Sequence, residues 1–146
     1  MKPNLSIQKF LPLILGSSLL MNAPLAISDE PNPEVLDNLQ GYFEFASFGD
    51  GVLTPALVNE MQHQALIIDT RKSQDYAVSH IPNAIHIEWR DILNHLDELP
   101  KDKMIILYCD TGILSSKAHM ALRLLGYENA RVMFGGYLDW LKSKQN

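Results

Sequence analysis

The sequence predicts an α/β fold, an open parallel sheet with helices on both faces, and three observations lead to it. Met104–Tyr108 is a short, continuous apolar run with β-branched side chains, which suits a strand covered on both faces. Short apolar runs alternate with helical patterns along the chain, as in parallel sheets whose strands are joined by helices. The stretch Lys103–Gly126 combines a strand, a tight loop and a helix, and we expect the functional residues there.

The other elements follow from local patterns in chain order. Apolar runs predict three further strands, which are Ala65–Ile68, Ile85–Ile87 and Arg131–Phe134. Helical spacing and capping residues predict five further short helices. Three have predicted ranges, Glu34–Gln40, Ser73–Val78 with Ser73 as cap, and Trp89–Leu96. Another is capped by Thr54 with Pro55 in its first turn, and the last follows Gly135-Gly136.

Within the central stretch, Cys109 directly follows the predicted strand, and Asp110–Gly112 has the composition of a turn. Ser115 or Ser116 is the expected N-cap of the helix, and Gly126 marks its end. The apolar face of this helix consists of Ala118, Ala121, Leu122 and Leu125.

The N-terminal residues predict export. Lys2 and Lys9 form a basic region around the start of an apolar run, Phe10–Met21, and Ala26-Ile27-Ser28 places small residues at a cleavage site. We therefore predict a signal peptide over residues 1–28, a linker and aromatic segment over 29–52, and the main domain over 53–146.

The expected location is the periplasm, with no stable membrane span after cleavage. A retained anchor is the alternative, but the apolar run is short for a membrane helix and contains Pro12 and Gly16. The net charge of −5 argues against a nucleic-acid partner. A lone cysteine in an oxidising compartment is consistent with a thiol kept for chemistry.

An aromatic segment, Gly41–Phe48, precedes the main domain. Its aromatic residues are Tyr42, Phe43, Phe45 and Phe48. It could form an edge strand, a segment packed over the domain, or a surface for a protein partner. Packing is the favoured interpretation, because large aromatic side chains usually lie in cores.

Cys109 is the only cysteine in the chain and so cannot form an internal disulfide. A structural buried cysteine is the alternative interpretation, since cysteine is among the most buried residues. Its position at a loop mouth before a helix favours reactivity, because the loop amides would stabilise a thiolate and lower its pKa.

Four blocks of sequence resemble the rhodanese-type sulfurtransferases. Cys109–Ser115 (CDTGILS) is similar to the family's active-site loop, whose common form is C-x-x-G-x-R-S. The others, in the family's order, are Ile68–Arg71 (IDTR) for D-x-R, His80–Ile87 (HIPNAIHI) for G-H-I-P-G-A-I-H-I, and Gly135–Trp140 (GGYLDW) for G-G-x-x-x-W. The resemblance covers residues 53–142 and implies a rhodanese-like domain of the exported, single-domain type.

The resemblance implies sulfur transfer by double displacement. Cys109 would attack a sulfane sulfur of thiosulfate or a persulfide, and a thiol or cyanide would remove it from the Cys109 persulfide. The loop expected to hold the persulfide consists of Asp110, Thr111, Gly112, Ile113, Leu114 and Ser115. Supporting roles fall to Asp69 and Arg71, as a structural ion pair, and to Lys117.

Several positions depart from the family pattern. Leu114 stands where sulfurtransferases typically carry an arginine, and Asp110 adds a negative charge, so we expect weak turnover of thiosulfate, an anion. Ile113 and Leu114 would instead face a thiol or protein donor with apolar surface. Ser79 and Asn83 replace glycines, and asparagine tolerates the left-handed conformation.

Two alternatives remain open. A phosphatase or arsenate reductase of this fold needs one more loop residue and an arginine six positions after the cysteine, where this chain has Ser115. A non-catalytic periplasmic module could bind sulfur or dock a partner protein through Tyr42–Phe48. No metal or other cofactor is expected, since the histidines lack ligand spacing, and His80 and His86 are interpreted as structural hydrogen-bonding residues.

Overall fold

A parallel sheet forms the centre of the structure, as predicted, but it has five strands where the sequence predicted four. The computed structural model describes residues 31–145, so the predicted signal peptide lies outside the described residues. The strands are β1 (Val52–Leu53), β2 (Leu66–Asp69), β3 (Ile85–His86), β4 (Ile105–Tyr108) and β5 (Ala130–Met133). They lie in the order β1-β5-β4-β2-β3, and all neighbouring pairs are parallel. β4 is central and all its residues are buried.

Short helices connect these strands within residues 31–145. They are α1 (Pro33–Phe45), α2 (Pro55–Met61), α3 (Ser73–Val78), α4 (Ile113–Leu124), α5 (Gly136–Ser143) and a 3-10 helix (Ile92–Glu98). Thr54 caps α2 as predicted, since its hydroxyl accepts a hydrogen bond from the Leu57 amide at 3.3 Å. No helix in this part of the chain is long and apolar enough to span a membrane.

The core has two halves, one on each face of the sheet. Because successive strand residues point to opposite faces, Ile106 and Tyr108 of β4 contact one half while Ile105 and Leu107 contact the other. The first half includes residues of α2 and α5, and the second includes residues of α4 and the 3-10 helix. This arrangement confirms the predicted open parallel sheet with helices on both faces.

Helix α4 begins earlier than the sequence predicts. Its N-cap is Gly112, which has a left-handed backbone with φ of 95°. Ser115 is therefore inside the first turn, where it is buried and its hydroxyl donates to the Gly112 carbonyl at 3.1 Å. Ser73 likewise is the first residue of α3 and not its cap. The left-handed turn at Gly112 was not recognised because serine is the commoner cap.

Two of the interpretations of the aromatic segment are wrong. It forms neither an edge strand nor a packed core segment, because it continues the N-terminal helix α1. Asn32 caps α1 through hydrogen bonds from the Glu34 and Val35 amides. No residue of α1 is buried, and the exposed side chains include Phe43 at 62% and Phe45 at 87%, followed by a fully exposed Phe48. α1 contacts α4, but its phenylalanines lie largely in solvent.

Candidate active site

The Cys109 sulfur lies inside a ring of hydrogen-bond donors at the end of β4. The Gly112 and Leu114 amides donate to Sγ at 3.2 and 3.3 Å, and the Ser115 hydroxyl lies 3.7 Å from it. The side chain is free and buried, with 2% of its surface exposed. The tight loop curls around the sulfur because Gly112 turns the backbone into α4.

This ring lowers the pKa of the thiol. Burial raises the pKa of Cys109, but hydrogen bonds from the Ser115 amide and hydroxyl, and from the Thr111 and Leu114 amides, more than offset burial. The net pKa therefore lies below that of an ordinary cysteine. Gly112 and Leu114 have full hydrogen-bond geometry to the sulfur, and the other amides favour the thiolate electrostatically. The site favours a nucleophilic thiolate without a neighbouring histidine.

Helix α5 supports the loop from behind. The Tyr137 amide donates to the Cys109 carbonyl at 2.7 Å, and the Leu138 amide donates to the Asp110 carbonyl at 3.1 Å. Gly136 has a positive φ of 61°, and a Cβ added there would collide with the Cys109 and Asp110 carbonyl groups. Sequence reasoning noted the Gly135-Gly136 pair but missed this role, for which the adjacent glycines were the available signal.

Asp69 and Arg71 form the predicted ion pair, and the structure adds a link to the loop. Both side chains are buried, and Arg71 Nη2 lies 2.6 Å from Asp69 Oδ2. Arg71 Nη2 also donates to the Ser79 carbonyl at 2.6 Å, and its Nη1 lies 3.4 Å from Asp110 Oδ1. Burial opposes its charge, but Asp69 raises the pKa of Arg71 above its usual value. A permanent cation therefore lies beneath Asp110.

Lys117 lies over an aromatic ring on the exposed side of α4. Its Nζ is 5.0 Å from the centre of the Trp89 ring. The cation whose contact with the loop the structure records is Arg71, through Asp110. A supporting role for Lys117 stays a prediction.

The His80–Ile87 segment is structural, as expected. His80 Nδ1 bonds to the Tyr76 carbonyl at 2.9 Å, and His86 Nε2 bonds to the Arg71 carbonyl at 2.8 Å. Asn83 adopts the predicted left-handed conformation with φ of 65°. The segment therefore supports the strand ends around the loop.

An apolar groove of about 270 Å³ adjoins the loop. Its lining includes Gly112, Ile113 and Phe134, and the last two side chains are about two-thirds exposed, at 65% and 66%. Leu114 contributes its amide to the sulfur, but its side chain supplies no charge. The surface beside the candidate nucleophile is therefore more suited to apolar groups than to a small anion.

Comparison with known proteins places this geometry in context. A sequence model of the rhodanese-like domain matches residues 54–143. The thiosulfate sulfurtransferase GlpE of Haemophilus influenzae is 31% identical over 93 residues, which cover 63% of this chain and 89% of that protein. The adenylyltransferase and sulfurtransferase uba4 of Ogataea parapolymorpha is 36% identical over 81 residues, 54% of this chain. The tRNA uridine(34) hydroxylase of Erwinia tasmaniensis is 36% identical over 98 residues, 62% of this chain. The matched parts are only 21% and 28% of these last two proteins.

Solved structures share the same fold. The human single-domain sulfurtransferase TSTD1 superposes with a TM-score of 0.60 at 20% identity, covering 63% of this chain and 96% of that one. A rhodanese-related protein from Thermoplasma volcanium has a TM-score of 0.60 at 24% identity, covering 63% and 91%. At these identities the superpositions establish the fold alone.

Proposed function

Because the chain belongs to the rhodanese-like family, we propose that it is a sulfurtransferase that carries sulfane sulfur as a persulfide on Cys109. The single observation that carries the proposal is the thiol itself, held in a ring of loop donors that lowers its pKa. A nucleophilic thiolate at neutral pH is what the first step of sulfur transfer requires. The predicted export signal makes the periplasm part of this proposal.

The proposed reaction has two displacements. The Cys109 thiolate attacks the outer sulfur of a donor, a new S–S bond forms, and the donor's own S–S bond breaks, so that sulfite or a thiolate leaves. The terminal sulfur of the persulfide then bears the negative charge, which the amides from Asp110 to Ser115 stabilise. An acceptor thiolate or cyanide attacks that sulfur, and cleavage of the persulfide bond restores the Cys109 thiolate.

The loop favours persulfide donors over thiosulfate. Leu114 supplies no cation at the rim, and the carboxylate of Asp110 is half exposed, with 51% of its side chain in solvent. Arg71, the nearest cation, is already paired with Asp69 and Asp110. Thiosulfate, a doubly charged anion, would therefore gain little binding energy at the loop. An alkyl persulfide would gain contact with the exposed apolar side chain of Ile113.

A second candidate function is a non-catalytic sulfur-binding or partner-docking module, which the exposed aromatic residues of α1 favour. Kinetics separate the two. A binding module would take up one sulfur per chain without turning over, whereas a transferase would release it repeatedly to an acceptor. The phosphatase alternative is disfavoured because Ser115, at the position of the required arginine, directs its hydroxyl to the sulfur.

Intact-mass measurement tests the proposal. The protein is treated with thiosulfate or with cysteine persulfide, then with cyanide, beside a Cys109→Ser control. We expect the wild type alone to gain one sulfur, more completely from the persulfide, and to lose it to cyanide. If neither donor adds sulfur to the wild type, the transferase proposal is wrong.

A further inference from the structure

The exposed aromatic residues of α1 lie outside the matched family domain. That domain covers residues 54–143, whereas Phe43 and Phe45 lie in α1 and Phe48 follows it. All three are more than half exposed, and exposed apolar surface of this kind often marks an interaction site. They are not required by the core, since no residue of α1 is buried.

Two grooves connect α1 with the active-site loop. One, of about 380 Å³, is lined by Tyr42 and Phe43 among others, and the second is the groove of about 270 Å³ beside the loop. They share Val52, Ser116 and Val132 and are therefore continuous. The second reaches Gly112, whose amide donates to the Cys109 sulfur. An apolar path thus runs from Phe43 to the loop that surrounds the Cys109 sulfur.

The path is longer than a small sulfur donor requires. A small persulfide would occupy the groove beside the loop, and contacts as distant as Phe43 would have no function for it. A polypeptide segment covers both grooves at once and can place one cysteine at the loop. The dimensions therefore favour a protein over a small molecule.

The charge of α1 specifies the partner further. Residues 31–70 contain no lysine or arginine, and α1 itself carries Glu34, Asp37 and Glu44. A basic contact surface is attracted to this helix. A second copy of the chain, meeting the same acidic face in a symmetric dimer, is repelled, and so is an anionic membrane.

We propose that Tyr42, Phe43 and the two grooves form a docking surface for a sulfur-carrying partner protein whose contact segment is apolar and basic. The partner's cysteine, as thiol or persulfide, reaches Cys109 along the apolar path. Sulfur passes between the two cysteines by the same displacement as in the proposed function, on which this inference rests. The aromatic side chains anchor the segment, and the acidic residues select its charge.

Peptide acceptors of defined sequence test the docking surface. Cys109 is first loaded with cysteine persulfide. Transfer is then measured to a cysteine peptide flanked by leucine and lysine, to the same peptide with glutamate for lysine, and to free cysteine. We expect kcat/KM to favour the basic peptide over the acidic one by about tenfold, and salt to reduce the preference.

Matched variants localise the effect. The variant Phe43→Ser should lose about tenfold in kcat/KM with the basic peptide, as for loss of an aromatic anchor, and nothing with cysteine. Val78→Ser is the control, because Val78 is 86% exposed, lies in α3 and lines neither groove. It should leave both acceptors unaffected.

Several outcomes would overturn the inference. They are equal rates with both peptides, an equal loss in Val78→Ser, and a loss that extends to free cysteine. A dimer in sedimentation that the phenylalanine variant dissociates would identify a second copy as the occupant. Co-sedimentation with phosphatidylcholine–phosphatidylglycerol vesicles, abolished by the same variant, would identify a membrane. Each of these two results contradicts a basic protein partner.

Failure of the proposed function is a separate result. If Cys109 takes up no sulfur from any small donor, the docking surface is still measured by anisotropy of the labelled basic peptide with Cys109→Ser protein. Binding weakened by the phenylalanine variant and not by Val78→Ser supports docking. Absence of binding rejects it.

Discussion

The hydroxyl of Ser115 lies next to the Cys109 sulfur, a position that the sequence did not predict. Serine before a helix is usually a cap, whereas here the left-handed Gly112 begins α4 and places the Ser115 hydroxyl inside the first turn, where it bonds to the Gly112 carbonyl and lies 3.7 Å from the Cys109 sulfur. The cysteine, its loop position and the Asp69–Arg71 pair were recognisable from local sequence. The orientation of Ser115 was not, because it depends on a turn set by a glycine backbone.

Ser115→Ala tests this contribution. Removing a hydroxyl that favours the thiolate should raise the pKa of Cys109 toward that of an ordinary cysteine, because one of the hydrogen bonds that lower it is lost. The alkylation rate with iodoacetamide, measured against pH, should show its midpoint moved upward. Ser116→Ala is the control, because the Ser116 hydroxyl bonds to the Ile113 carbonyl and not to the sulfur. An unmoved midpoint in Ser115→Ala would contradict the assignment.

Leu114→Arg tests the missing cation. An arginine at this rim position should raise kcat/KM for thiosulfate by about tenfold, which corresponds to one added charge–charge contact near a surface. Transfer from a neutral alkyl persulfide should change little. Leu114→Met keeps the apolar surface and serves as the control. No gain with thiosulfate would mean that charge at this position does not limit donor choice.

At the scale of the elements, α5 and β2 hold the loop in place, and each does so through a contact remote in sequence. Tyr137 and Leu138 of α5 bind the Cys109 and Asp110 carbonyl groups, and Arg71 after β2 reaches Asp110. Apart from β1 and the part of α1 beyond Gln40, the strands and helices themselves were predictable, since their apolar periods are local. These two contacts were not, because the order β1-β5-β4-β2-β3 had to be known before remote segments could be paired.

Gly136→Ala should damage the loop. The added Cβ meets the Cys109 carbonyl oxygen, and the positive φ adds strain, so we expect the free energy of unfolding to fall by about 1–3 kcal/mol. Urea unfolding and the transfer rate should both report the change. Gly41→Ala is the control, because Gly41 lies in α1 and an added methyl group would meet nothing within 4 Å. That substitution should be neutral or stabilising.

Asp69→Asn should lower the free energy of unfolding, because it leaves a buried cation without its main partner. Arg71 would keep its charge while losing its main partner, which typically destabilises a protein by about 3–5 kcal/mol. Glu88→Gln breaks the exposed pair with Arg90 and should cost far less stability, because solvent screens that pair. Urea unfolding of both variants makes the comparison. Equal losses would mean that the Asp69–Arg71 pair is not the buried support inferred here.

At the scale of the described domain, His119 joins α4, β5 and the turn before β1. It is buried, bonds to the Ala130 carbonyl at 3.2 Å and faces Gly51. Burial lowers the pKa of His119, and the nearby charges of Arg123 and Arg131 lower it further. The hydrogen bond to the Ala130 carbonyl and the charge of Asp50 raise the pKa, but the net shift is downward. The neutral imidazole is therefore the form compatible with the fold.

Stability should consequently fall on acidification. The unfolded chain takes up a proton at His119 near its ordinary pKa of about 6.5, whereas the folded chain does so only at lower pH. The stability that neutral His119 contributes is therefore fully present above pH about 6.5. It is lost as the pH falls through the lower pKa that His119 has in the folded chain. Urea unfolding between pH 7.5 and 5 should show a steeper decline for wild type than for His119→Gln. Parallel declines would exclude His119 as the cause.

Helix α1, which has no buried residue, differs from the rest of the described domain in its freedom to mutate. Substitutions on it remove little packing, so they cost little stability and are rarely eliminated for folding reasons. Cys109, Gly136 and Arg71 have no such freedom. Over evolutionary time, α1 can therefore diverge from one relative to the next while the chemistry beneath it stays constant, and exchanging its surface residues is a direct way to engineer new specificity.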